Sequence, residues 1–394
     1  MPKNMHSLII LILIAGCLAS CLMLVSCNKK TIQEPAASSD SKPESYYTSY
    51  KQGFSAARFL ETPYGTYFSS RDGYLYYSEK GNTKFIKLCN KPDCNHNSID
   101  CNAYIKWYKI GYYDKKIYYI TGNTLNCMDM DGSNHRNIKA LYEGYDNNFG
   151  YFHNGYYYYV ITKGGSIGAF GNEDNNLYRV KVDDDSTPEI VLTNDAILRL
   201  YMFTIVGDNI YIIEFNTDAT KVASLYSFST ISKNWTMLTD NWAGAGAYYI
   251  DDNKGYCYMR NIGFYEYDLT TNEMNLVKPT ELDDIGTCSA FYYPDYIYLI
   301  HYSSDPPSYL NQILYIYDRD YNLIDSIKFD KVYGKSTSGG FIGDVDKYVI
   351  FSSNYNEQPD YYIDKSEIGT GNLMFHKIED WQMQSWPDME TAYN

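Results

Sequence analysis

The sequence predicts an all-β fold, a β-propeller of four-stranded antiparallel blades, on two observations. The first is composition: 46 of the 394 residues are Tyr and aromatics reach 17%, an excess of side chains that suit a pleated, half-buried surface. The second is a repeat. A short aromatic strand, a turn rich in Asp, Asn, Lys or Gly, and an aliphatic-aromatic strand recur along most of the chain, and a recurring unit of this length marks a stacked architecture. Hydrophobic residues at 45% and charged residues at 21% fit a globular body rather than a disordered one.

The N-terminus comes first. Ser7 to Val25 is almost unbroken apolar sequence behind Lys3, and Asn28-Lys29-Lys30 ends it. That length could cross a bilayer as a helix. Leu24-Val25-Ser26-Cys27 resembles the bacterial lipoprotein signal box, in which the Cys is lipidated and becomes the mature N-terminus. Ile14-Ala15-Gly16-Cys17 and Leu18-Ala19-Ser20-Cys21 fit the same pattern, but cleavage there leaves apolar Leu22-Met23-Leu24-Val25 on the mature chain. Residues 1–27 are therefore expected to be a signal peptide with lipidated Cys27. The alternative is an uncleaved signal anchor. Either way the rest lies on the extracytoplasmic face of the cell membrane, held there in the first case by buried acyl methylenes. Residues 28–57 are rich in Ser, Lys, Glu, Pro and Ala with no apolar period, the signature of a flexible tether.

Residues 58–380 carry the repeat and 381–394 are left as a tail. Aligning the units on Leu75, Ile117, Tyr157, Ile210, Cys257, Ile297 and Val349 gives a mean spacing of about 46 residues, within the range of four-stranded propeller blades. A second hairpin follows in each of five units, as in Phe264-Tyr265-Glu266-Tyr267-Asp268, then Thr270-Thr271-Asn272, then Leu276-Val277. Residues that tolerate positive φ stand where the chain reverses. Two hairpins per unit make four strands, and seven units make seven blades, with six or eight as the alternatives. Most of the Tyr excess is accordingly repeat grammar.

Between the first two units lies an insert, residues 89–104. Cys89-x4-Cys94-x-His96-x4-Cys101 sets three thiols and an imidazole within 13 residues. Cys3His is a closed tetrahedral zinc shell that leaves no position for substrate, so one structural zinc is expected. Disulfides remain open, because the compartment is extracytoplasmic and six Cys follow Cys27. Free thiols remain open too. Cys257 reads as a buried, inert core thiol.

Other motifs carry less. Gly164-Gly165-Ser166-Ile167-Gly168 matches G-x-S-x-G but lies between two strands rather than at a strand–helix elbow. Gly334-Lys335-Ser336 ends like a phosphate loop, yet Phe329 stands where its first Gly belongs. Beyond His96, the residues His135, His153, His301 and His376 have no partner visible in the sequence, and Asp183-Asp184-Asp185 and Asp283-Asp284 read as solvated turns without EF-hand spacing. No catalytic residue is assigned.

The organisation resembles YWTD-like and TolB-like propellers, and with Leu88 to His96 and Cys101 to Tyr104 it is similar to uncharacterised propeller lipoproteins of Gram-positive anaerobes. That resemblance implies a cell-surface location and a binding role. Net charge is −15, which excludes the basic footprint of nucleic-acid binding. The expected function is non-catalytic binding of an extracellular ligand: a glycan, a peptide or a surface protein. The alternatives are a glycoside hydrolase or polysaccharide lyase working at the funnel, and a structural part of an envelope assembly.

Overall fold

Each repeat becomes a sheet of its own. The computed structural model describes residues 59–378 apart from 71, 107–108, 142–149, 162–175, 184–185, 193–199, 215–222, 243–247, 252, 260–261, 281, 283–286, 303–311, 330–339 and 353–358. The signal segment with Cys27, the tether, the tail and both rejected glycine motifs therefore lie outside the described residues. Twenty-eight strands form seven four-stranded sheets. In every sheet the strands pair antiparallel in chain order, and we number these blades 1 (59–87), 2 (110–140), 3 (151–192), 4 (200–242), 5 (248–279), 6 (287–328) and 7 (340–377). The first strands of neighbouring blades lie side by side, as between blades 7 and 1, 1 and 2, 3 and 4, 4 and 5, and 5 and 6. They therefore surround the axis, while the fourth strands form the rim. Burial agrees: the fourth strands Glu273–Pro279 and Leu323–Lys328 contain no fully buried residue.

The core is divided into seven wedges, one between each pair of neighbouring blades. This follows from strand periodicity, since successive side chains point to opposite faces of a sheet. In the second strand of blade 3, Tyr157 and Tyr159 pack toward blade 2, whereas Tyr158 packs toward blade 4. Both faces of a blade are thus buried. A residue that is large, tolerant of strands and able to hold a hydrogen bond at its tip suits both.

The repeat phase read from sequence holds for blades 2 to 7, where the aligned residue sits in the second strand. It slips in blade 1. Leu75 opens the third strand there, and the inner hairpin is Phe59–Thr62 with Gly65–Ser69 around Pro63-Tyr64. The hairpin around Asp72-Gly73 looks the same in sequence because its strands are aromatic and almost wholly buried as well.

The two ends of the ring differ. The first and second strands of a blade are joined by two residues in six blades (63–64, 114–115, 154–155, 207–208, 252–253, 346–347) and by four, 293–296, in blade 6. At the other end the second-to-third connections include 162–175, 215–222, 303–311 and 353–360.

Among the described residues no strand is exchanged between the first and last blades, since both take their four strands from consecutive chain. The ring therefore closes through side chains. Phe59, Phe68, Tyr74, Tyr76 and Phe85 of blade 1 share a wedge with Val345 and Ile350 of blade 7 and Ile378 just beyond it.

Candidate metal centre

The insert leaves the fourth strand of blade 1, Ile86–Lys87, and returns at the first strand of blade 2, Ile110–Tyr113. Apart from one isolated bridge, Tyr74 with Tyr104, it has no strand pairing. Two tight turns shape it, with the Cys94 N–H donating to the Lys91 carbonyl at 3.3 Å and the Cys101 N–H to the Ser98 carbonyl at 3.2 Å. His96 takes a positive φ of 54°, which swings its ring back toward the thiols, and Lys87 Nζ donates to the His96 carbonyl at 2.7 Å.

The result is a convergent site. The ligand atoms of Cys89, Cys94, His96 and Cys101 all lie within 4.8 Å of one another, with Cys101 buried and the rest half-buried. Cys101 Sγ stands 3.5 Å from His96 Nδ1. A tetrahedral zinc ion, with sulfur at about 2.3 Å and nitrogen at about 2.0–2.1 Å, sets those two donors about 3.5 Å apart. The donor set fits the ion in type and number, and the Cys101–His96 pair fits it in spacing.

Electrostatics divide the thiols. Burial opposes ionisation of Cys89, but the N–H groups of Lys91 and Asn102 and the neighbouring thiols outweigh it and hold the group below its usual value. Burial pushes the Cys101 thiol up to about 12. A bound cation reverses that second effect, because a coordinating thiol loses its proton outright.

The remaining cysteines are elsewhere. Cys127 lies in the wedge between blades 2 and 3, Cys257 in that between 4 and 5, and Cys288 packs against that between 5 and 6. Six thiols thus do not resolve into three neighbouring pairs. Cys257 is 1% exposed and burial pushes its thiol up to about 12, as an inert core cysteine requires.

Residues that the sequence did not single out hold the insert to both blades. On the blade 1 side, Leu75 N–H donates to the Ala103 carbonyl at 2.7 Å, Ile105 N–H to the Gly73 carbonyl at 2.9 Å, and the Tyr74 and Tyr104 rings meet edge-on at 5.4 Å. On the blade 2 side, Asn90 Nδ2 donates to Asp131 Oδ2 at 2.9 Å, and His135 Nε2 lies 2.8 Å from the Asn102 carbonyl. His135 Nδ1 is 2.8 Å from the Tyr119 hydroxyl. Histidines without a partner in the sequence thus acquire one: His135 here, His153 with Asn154 Nδ2 at 3.0 Å, and His376 with Glu367 Oε1 at 2.7 Å. His135 follows the turn Asp131-Gly132-Ser133-Asn134, the only sequence hint available. Gly132 is required at that turn: its φ is 80°, and a Cβ would fall 2.4 Å from the Leu88 carbonyl oxygen.

No protein-family model matches the chain, and no curated protein matches it. Among solved structures it is similar to a prolyl endopeptidase, with 11% identity, a TM-score of 0.51, and coverage of 84% of this chain and 50% of that one. The likeness is one of fold. The chain spans about half the length of that enzyme. An oligogalacturonate lyase in complex with manganese (12% identity, TM-score 0.45, 66% of this chain and 72% of that one) and a nidogen/laminin complex (9%, 0.36, 66% and 92%) also match. These neighbours span enzymes and a protein–protein complex.

Proposed function

We propose that the protein is a cell-surface lipoprotein, anchored through Cys27, whose propeller binds an extracellular glycan, peptide or protein without transforming it. The observation that supports this reading is the asymmetry of the ring. The first-to-second connections are two-residue turns in six of the seven blades, while at the opposite end four second-to-third connections run to eight residues or more, and loops set on a rigid scaffold are where recognition residues gather. The test is a screen of the full-length protein against glycans, peptides and surface proteins, with fragment release followed in the same samples. Saturable binding without turnover is expected. Cleavage of any bound ligand overturns the reading and favours the hydrolase or lyase alternative.

The second part of the proposal is one structural zinc held by Cys89, Cys94, His96 and Cys101. Its support is the mutual approach of the four donors and the 3.5 Å sulfur–nitrogen spacing. Four protein ligands complete the tetrahedron, so the ion would cross-link the chain rather than meet a substrate.

A further inference from the structure

The insert touches more of the ring than its place in the sequence suggests. Leu88 and Ile105, at its two ends, belong to the wedge between blades 1 and 2. Cys101 and Ala103 are buried in the wedge between blades 7 and 1, with Cys89, Cys94 and Tyr104 packed against it. Three of the four donors therefore line the closing core of the propeller. Among the described residues no chain segment links blade 7 directly to blade 1, whereas consecutive chain links every other pair of neighbours, and the Tyr348 hydroxyl donates to the Gly81 carbonyl across the junction at 3.4 Å.

We infer that the metal-bound insert is the clasp of the ring: gathering the four donors around one ion fixes Cys101 and Ala103 against blade 1 and Asn90 and Asn102 against blade 2, and so sets how firmly blade 7 closes on blade 1. The inference rests on the zinc reading above. Without the ion, three thiols and an imidazole share a short segment with almost no strand pairing of its own. The part of the closing wedge lined by Cys101 and Ala103 then loses its fixed position. Metal loading becomes a control on ring integrity.

Hydrogen exchange on the full-length protein in detergent tests this, with Zn2+ as the probe and metal content measured in every sample. Removing zinc is expected to speed exchange in 59–79 and 340–352 by about tenfold or more while 209–214 and 225–229 in blade 4 stay protected, a local opening rather than a global one. His96→Ala provides the second arm, because His96 is a donor but not part of the closing wedge. It is expected to lose zinc and loosen the same strands. If zinc binds one per chain but its loss changes only 88–106, or speeds every blade equally, the clasp is overturned while the zinc site stands. If His96→Ala loses zinc and keeps the junction protected, the clasp is likewise overturned. A protein that binds no zinc overturns the site and the clasp together.

Discussion

Blade 7 faces two neighbours and meets them in different ways. Toward blade 6 it packs Phe341, Val349, Phe351 and Ile363 against Tyr298, Ile300, Leu314 and Ile316, with Phe291 and Phe341 stacked at 4.4 Å. A buried polar group is embedded in that contact. Tyr298 donates to Asp344 Oδ2 at 2.6 Å, and Lys365 pairs with the other oxygen of the same carboxylate. Toward blade 1 the same blade offers Val345, Ile350, Tyr348 and Tyr362, with Ile378 just beyond it, against Phe59, Phe68, Tyr74, Tyr76 and Phe85, and the insert adds Cys101 and Ala103 to the wedge. One junction is made by the blades themselves. The other borrows a segment that needs its own cross-link. A ring with no shared strand thus places its weakest covalent point beside its only candidate metal centre among the described residues.

Breaking the stronger junction should have the larger effect. Asp344 is 3% exposed, so Asp344→Ala leaves the half-buried Lys365 only its pairing with Asp295 at 3.7 Å and the Tyr298 hydroxyl without this acceptor, and should cost about 3 kcal/mol, read as a loss in urea unfolding. Tyr298→Phe removes only the hydroxyl and should cost about 1.5–3 kcal/mol, as for a hydrogen bond to a charged acceptor. If the two variants lose equally little, the polar group does not hold blades 6 and 7 together.

The borrowed junction should respond to metal instead. Free zinc at about a hundredfold excess over its dissociation constant adds about 2.7 kcal/mol to stability by mass action. Thermal unfolding should therefore shift with zinc concentration in the native chain and not in His96→Ala. A shift of equal size in both would place the effect outside the insert.

The smallest effects belong to the outer hairpins, which repeat one device. Asp129, Asp268, Asp318 and Asp364 each accept hydrogen bonds from their own turn, for example Asp268 Oδ1 from the N–H groups of Thr270 and Thr271 at 2.7 and 3.0 Å. The causes differ in order but agree in direction. The Asn134 amide lowers Asp129, the Thr271 N–H lowers Asp268, burial opposes but Asn322 lowers Asp318, and the Ser366 side chain lowers Asp364. A carboxylate lowered on folding stabilises above its unfolded value and loses that contribution as pH falls through the folded one. Stability should hold from pH 7 to 5 and decline below about pH 4. Asp129→Ala should cost less than about 1 kcal/mol, because the side chain is exposed to solvent screening, and should flatten part of the acid decline. An unchanged acid profile would separate these turns from acid stability.

Sequence carried the architecture because a propeller writes the same hairpin many times. Alternation, turn residues and spacing recur often enough to outvote local irregularity. The phase of blade 1 was not legible, since its second and third strands are as aromatic as an inner pair. The fourth strand of blade 7 was hidden for another reason: it is only His376–Lys377, reached through a short 3-10 turn at Lys365–Glu367. The four donors were legible because they are close in sequence. Their anchors were not, because Asn90 meets Asp131 across 41 residues and Asn102 meets His135 across 33, and no local pattern records such a pairing. Tyr298 and Asp344, 46 residues apart, were invisible for the same reason.

Zinc titration with thiol counting on the folded, full-length protein tests the account most directly. It predicts one zinc per chain, Cys89, Cys94 and Cys101 protected from alkylation while the ion is bound, and all three exposed together when a chelator removes it. Alkylation of these thiols unaffected by zinc, or a disulfide among them in the folded protein, would contradict it.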